Sequence, residues 1–148
     1  MICVVDASVA VKWFVAGEPL ALEDHVPQAL DLLHACDTGT VDLLAPPHFL
    51  AEVSAVLVRL APERAVRHTS QLSAMDITWA SRDRSLPRAI AIAHRLNHHL
   101  FDTLYHALAL DTPGAVLVTA DRRYFDKARH LGQIEWLADF RVARLRPG

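Results

Sequence analysis

Asp6, Glu52, Asp102 and Asp121 are the side chains of this sequence best suited to chemistry. Two of them close strand-like apolar runs. Val4-Val5 leads straight into Asp6, and Val116-Leu117-Val118-Thr119-Ala120 leads into Asp121. In parallel α/β sheets, sites form beyond the carboxyl ends of strands, so these two acids are expected at one edge of a sheet. Asp102 precedes an apolar helical segment at 103–110, which also puts it at an element terminus. Each aspartate has a structural reading beside the chemical one, because aspartate is a preferred helix N-cap. Glu52 does not fit a cap. It falls inside the helical pattern Phe49–Leu60, at the margin of the apolar stripe beside Val56, where a solvated glutamate is also common.

If all four carboxylates share one cleft, they need a cation. At about 5 Å and an effective dielectric near 20, each like-charge pair costs on the order of 3 kcal/mol. Several such pairs exceed what a fold stable by about 5–15 kcal/mol can absorb. Some acids must then protonate, or a divalent ion must neutralise them. Oxygen-only ligands favour Mg²⁺ or Mn²⁺ over zinc. A hard cation held this way suits phosphate chemistry.

The elements that must position these acids alternate in type. A buried strand is expected at 2–5, helical sequence at 8–14 and 20–35, a strand at 41–45 closed by Pro46-Pro47, and the Glu52 helix after it. Further helix, strand and helix follow at 62–75, 76–79 and 86–99, then the apolar helix 103–110 ended by Pro113-Gly114. A second buried strand at 115–119, a helix opened by Asp121 and a short strand at 134–136 complete the order. This alternation points to an α/β fold with a mostly parallel sheet covered on both faces. The length of 148 residues, with 52% hydrophobic, suits one domain over 1–148 with a full core.

Other classes are disfavoured by what the chain contains. Two cysteines, Cys3 and Cys36, make no disulfide framework and suit a reducing cytoplasm. The opening apolar run meets Asp6 too soon for a secretory signal, and no apolar stretch is long enough for a membrane span, so a cytoplasmic protein is expected. Net charge is −2, but its distribution is uneven. Residues 1–60 hold two basic and eight acidic groups, a net of −6; residues 61–148 hold thirteen and nine, a net of +4. The basic groups include Arg82, Arg84, Arg122 and Arg123, candidates for phosphate contacts or simply for solvated helix faces. Nine histidines invite a zinc reading, but Arg95 stands where the metalloprotease pattern after His94 needs glutamate, and surface histidines are the expectation. Asp6-Ala7-Ser8 has serine where haloacid-dehalogenase-like phosphatases carry a second aspartate. The three tryptophans, Trp13, Trp79 and Trp136, read as core or interface residues.

At four places the chain resembles the PIN-domain nucleases, specifically VapC-like toxins of type II toxin–antitoxin systems. The segments are Val4-Val5-Asp6-Ala7-Ser8-Val9-Ala10-Val11-Lys12-Trp13-Phe14, Pro47-His48-Phe49-Leu50-Ala51-Glu52-Val53, Phe101-Asp102-Thr103-Leu104-Tyr105-His106-Ala107-Leu108-Ala109, and Leu117-Val118-Thr119-Ala120-Asp121-Arg122-Arg123-Tyr124-Phe125. They occur in the family's order and span nearly the whole chain. The resemblance implies a PIN-like three-layer α/β/α sandwich and a Mg²⁺- or Mn²⁺-dependent endoribonuclease, a hydrolase leaving 5′-phosphate and 3′-hydroxyl ends. It implies Asp6, Glu52, Asp102 and Asp121 as metal-binding catalytic residues, with Ser8 and Thr119 supporting them by hydrogen bonds. It also implies a homodimer and a VapB-like antitoxin whose helical tail blocks the site from a groove beside the helices at 20–36 and 48–60. Operator DNA would be reached only through that antitoxin. Ala55 replaces an asparagine frequent in the family, and His106 replaces an apolar residue, expected to pack or to touch a cap. Two other readings stay open: a catalytically silent scaffold that binds an antitoxin, and a phosphatase of small substrates.

Overall fold

The computed structural model describes residues 1–18 and 23–142. Five strands form one sheet: β1 (Ile2–Val5), β2 (Asp42–Ala45), β3 (Ile77–Trp79), β4 (Val116–Thr119) and β5 (Ile134–Trp136). Their order is β3-β2-β1-β4-β5, and every adjacent pair is parallel. The chain first adds strands on one side of β1, then returns to add them on the other. Right-handed crossovers then send the connecting helices to opposite faces, which gives the expected three-layer α/β/α sandwich. The order reverses between β1 and β4, where Val5 pairs with Val118. A crevice opens at such a reversal because the two connections leave in opposite directions.

The helices are α1 (Ala7–Ala10), α2 (Lys12–Val15), α3 (Val26–Asp37), α4 (Phe49–Leu60), α5 (Ala65–Ser73), α6 (Leu86–Leu96), α7 (Leu100–Leu110) and α8 (Arg122–Ala128). The helix expected at 8–14 is divided at Val11, and positions 20–22 of the helix expected at 20–35 lie outside the described residues. The region 62–75 starts as a 3-10 turn, Pro62–Arg64, before α5.

Two boundaries near the acids differ from the sequence reading. The helix expected over 86–99 stops at Leu96, where Asn97 turns left-handed at φ 48° and its N–H bonds back to Ala93 and His94 carbonyls. Asparagine tolerates that conformation better than most residues. The next helix starts at Leu100 after an extended His99, three residues before the expected start. Asp102 therefore sits inside the first turn of α7, where a negative charge complements the helix dipole, and it is not an N-cap.

The core is continuous across the sheet. Leu32, Leu43, Leu57, Leu72, Leu108 and Leu117 are fully buried, and Trp13 Nε1 donates to the Ala29 carbonyl at 2.9 Å, tying α2 to α3. Of the other tryptophans, Trp79 is exposed and Trp136 is half-buried. Among the described residues no helix is long and apolar enough to cross a membrane.

His106 is a packing residue, as expected, and is completely buried. Nε2 donates to the Gly132 carbonyl at 2.8 Å, which leaves Nδ1 to accept from the Tyr124 hydroxyl at 2.9 Å. Burial lowers its pKa, so the ring is neutral and both nitrogens are used. His106→Phe keeps the volume but strands both partners. Denaturant unfolding should show a loss of about 2–4 kcal/mol, since each orphaned buried group costs about 1–3 kcal/mol. A variant as stable as wild type would contradict this account of the ring.

Candidate metal centre

β1 and β4 deliver Asp6 and Asp121 side by side at the switch point, and α4 and α7 bring Glu52 and Asp102 to the same place. All four carboxylates line one cleft of about 320 Å³. Glu52 reaches it because His48 starts α4 at the sheet edge; the His48 ring donates to the Phe101 carbonyl at 2.9 Å and stands 3.6 Å from Glu52. That bond joins the first turns of α4 and α7, and so sets the Glu52 and Asp102 positions relative to each other.

Asp6 is the most enclosed of the four, at 8% exposure. The N-cap explanation fails for it, because its side chain makes no cap bond. Instead Ser8 and Thr119 hydroxyls each donate to one of its oxygens. Both hydroxyls are themselves held: the Ala120 N–H donates to Ser8 Oγ at 3.0 Å, and the Asp121 N–H to Thr119 Oγ1 at 3.1 Å. Asp121 does cap α8, accepting from the Tyr124 N–H at 3.1 Å with one oxygen. Its cap role and its place in the cleft coexist, since a carboxylate has lone pairs to spare.

The electrostatics are those of a partly buried cluster of carboxylates. Burial, opposed by the two hydroxyls and reinforced by Asp121 and Asp102, raises the Asp6 pKa to about 6. Burial, then Asp102 and Asp6, raise Glu52 to about 7. The Tyr105 hydroxyl, buried beside Glu52, exerts a smaller lowering effect yet has no hydrogen-bond partner of good geometry. Without a cation, both carboxyls keep protons well above the ordinary carboxylate range.

Sequence reasoning missed His98. Expected on the surface, its side chain is only 7% exposed, and Nε2 donates to Asp102 Oδ2 at 2.8 Å. The one available signal was spacing, since positions 98 and 102 are one helical turn apart. Lys127 Nζ stands behind it, 3.2 Å from the Asn97 carbonyl and 3.4 Å from His98 Nδ1. Among the described residues, His98, Asp102 and Asp121 present ligand atoms within 4.8 Å of one another; Asp6 and Glu52 line the same cleft as Asp102 and Asp121. The donors are mostly hard oxygens around a carboxyl whose pKa is raised first by burial and then by its acidic neighbours. That set fits a divalent cation of the Mg²⁺ or Mn²⁺ type.

The arginines divide. Arg122 and Arg123 open α8 directly after Asp121. Arg122 lies over the Trp136 ring at 4.3 Å, and Arg123 lines a hollow with Asn97, His98 and His99. Arg82 is exposed and near Asp83. Arg84 departs from the expectation of a substrate contact: it donates to Thr112 Oγ1 at 2.7 Å, beyond the far end of α7 and before β4. An eleven-residue helix is about 16 Å long, so Arg84 belongs to the opposite edge of the sheet.

Compared with known families, residues 3–131 match the family described as PIN domain. No match is found among curated proteins.

Two measurements follow. Because the folded Asp6 pKa lies above the ordinary value of 3.8, the stability it contributes is full below about pH 4 and is lost as pH rises through about 6. In EDTA, Asp6→Asn should therefore gain on wild type by about 3 kcal/mol between pH 4 and pH 8 in denaturant titrations. A pH-independent difference would contradict the buried-carboxyl account. At pH 8, Mn²⁺ at about 100 times its Kd should stabilise wild type by about 3 kcal/mol, and Asp102→Asn should blunt the rise. An unchanged wild-type midpoint would count against the centre.

Proposed function

Since this chain belongs to the PIN domain family, we propose that it is an endoribonuclease that hydrolyses RNA phosphodiesters with Mg²⁺ or Mn²⁺, the toxin of a VapBC-like pair. PIN domains are metal-dependent nucleases as a class, and the observation that carries the reading is the convergence of Asp6, Glu52, Asp102 and Asp121 on one cleft. The RNA substrate, the VapB-like antitoxin, the homodimer, operator DNA reached through the antitoxin and a cytoplasmic location rest on the resemblance of the four motif segments. On this reading residues 1–148 act as one PIN domain.

Asp6, Glu52, Asp102 and Asp121, which line the cleft, would hold the cation. A bound divalent cation supplies positive charge for phosphoryl oxygens and lowers the pKa of a coordinated water. Ser8 and Thr119 keep both Asp6 oxygens in place, and His98 does the same for one oxygen of Asp102. Glu52 lines the same cleft and, without a cation, has its pKa raised by burial and by Asp102 and Asp6 to about 7. Arg122 and Arg123 stand beside Asp121 to meet the strand's phosphates. Ser8 is committed to Asp6 and to the Ala120 N–H, so this site has no second acid of the phosphatase kind.

The test is cleavage of a panel of structured RNAs by purified protein with Mn²⁺ or Mg²⁺, paired with growth on expression. Asp121→Ala should lower the cleavage rate on the order of 100-fold or more, several kcal/mol of transition-state charge stabilisation, and should abolish growth arrest. Equal arrest by both proteins, with the RNA panel intact, would favour a silent antitoxin-binding scaffold. Turnover of a chromogenic phosphate monoester with RNA untouched would favour a phosphatase.

A further inference from the structure

The cleft that gathers the four acids has a basic end that the metal chemistry does not use. Lys12, Glu23 and Arg59 line it together with the carboxylates. Lys12 opens α2, one turn beyond Ser8, and its side chain is only 5% exposed. Its ammonium donates to Glu23 Oε2 at 2.6 Å. On α4, Glu52, Val56 and Arg59 follow at helical spacing, so one wall passes from acid to base over about 10 Å.

Two dull roles for Lys12 fail on what surrounds it. It is not the counter-ion of the acidic centre, because among the described residues its ammonium pairs with Glu23 and with none of the four acids. Nor is an enclosed ion pair an efficient brace: its desolvation roughly cancels its attraction, and apolar side chains of the same size serve stability as well or better. A buried ammonium with one carboxylate partner among the described residues, lining a cleft, is instead poised for a second anion. Arg59 is exposed on the same wall and can approach that anion from solvent.

We propose that Lys12 and Arg59 form a phosphate-binding subsite for the RNA backbone next to the acidic centre, and that Glu23 holds Lys12 until a phosphate displaces it. The inference rests on the nuclease reading and adds a strand path to it: one phosphodiester at the carboxylates, a neighbouring phosphate at Lys12 and Arg59. Glu23 then acts as a competing anion. Its presence keeps the ammonium satisfied in the free protein, and its loss leaves the positive charge free for substrate.

The experiment measures binding of fluorescein-labelled single-stranded RNA by anisotropy over a salt series in EDTA, with cleavage in Mn²⁺ assayed separately. Lys12→Gln and Arg59→Gln should each weaken binding about tenfold and flatten the log–log salt dependence by about 0.7, the value for one phosphate contact on a single strand. Glu23→Gln should tighten binding several-fold. The opposite signs for Lys12→Gln and Glu23→Gln separate the subsite from a structural ion pair, which would make the two variants behave alike. Should Lys12→Gln fail to fold, Arg59→Gln and Glu23→Gln still decide. Wild-type cleavage with binding unchanged in all variants overturns the subsite and leaves the nuclease reading standing. Binding that responds as expected without any cleavage does the reverse.

Discussion

Asp6 is held almost out of water by two hydroxyl donors, with Asp102, Asp121 and Glu52 close enough to push on it. Hydrogen bonds from Ser8 and Thr119 favour its charged form, yet burial outweighs them. A carboxylate needed only for folding would not be built this way, because an asparagine can hydrogen-bond the same hydroxyls without the electrostatic cost. The arrangement is economical only when positive charge arrives from outside. Marginal stability makes that a real constraint, since a few kcal/mol of repulsion is a large part of a domain's total.

The rest of the structure can be understood as support for that constraint. Parallel pairing of β1 with β4 places two strand ends at one switch point, and their valine-rich runs are buried on both sides, which fixes the register from Cys3 and Val116 through Val5 and Val118. α4 and α7 approach over the same edge, and the His48–Phe101 bond ties their first turns. His106, one turn after Asp102, locks α7 to Tyr124 and Gly132 from beneath. Thr103, next to Asp102, donates to the Ala89 carbonyl at 2.8 Å and fastens α7 to α6. The acids stand on elements held at both ends.

Much of this was legible in the chain because it rests on local pattern. Continuous Val/Leu/Ile runs announce buried parallel strands, and the acids that end them are placed by strand direction alone. Glu52 stands at the margin of an apolar stripe, where a solvated glutamate is equally common, and its segment's resemblance to the PIN domains is what joins it to the other acids. What escaped depends on geometry between distant segments. The apolar run at 103–110 starts three residues inside α7, and the left-handed Asn97 is the stop that separates α6 from it. That offset hid Asp102's place in a first turn and, with it, the His98 bond. Arg84 was grouped with a basic cluster that is close in sequence but belongs to the far edge of the sheet, because charge runs carry no information about which strand end they meet.

The central claim is that these carboxylates converge because a divalent cation binds among them. Crystals soaked in Mn²⁺ and measured at a wavelength where manganese scatters anomalously test it most directly. The account predicts a peak in the cleft bordered by Asp6, Asp102 and Asp121, absent from crystals of Asp121→Asn treated alike. A cleft without anomalous density at saturating Mn²⁺, or a peak only at some other surface, would contradict it.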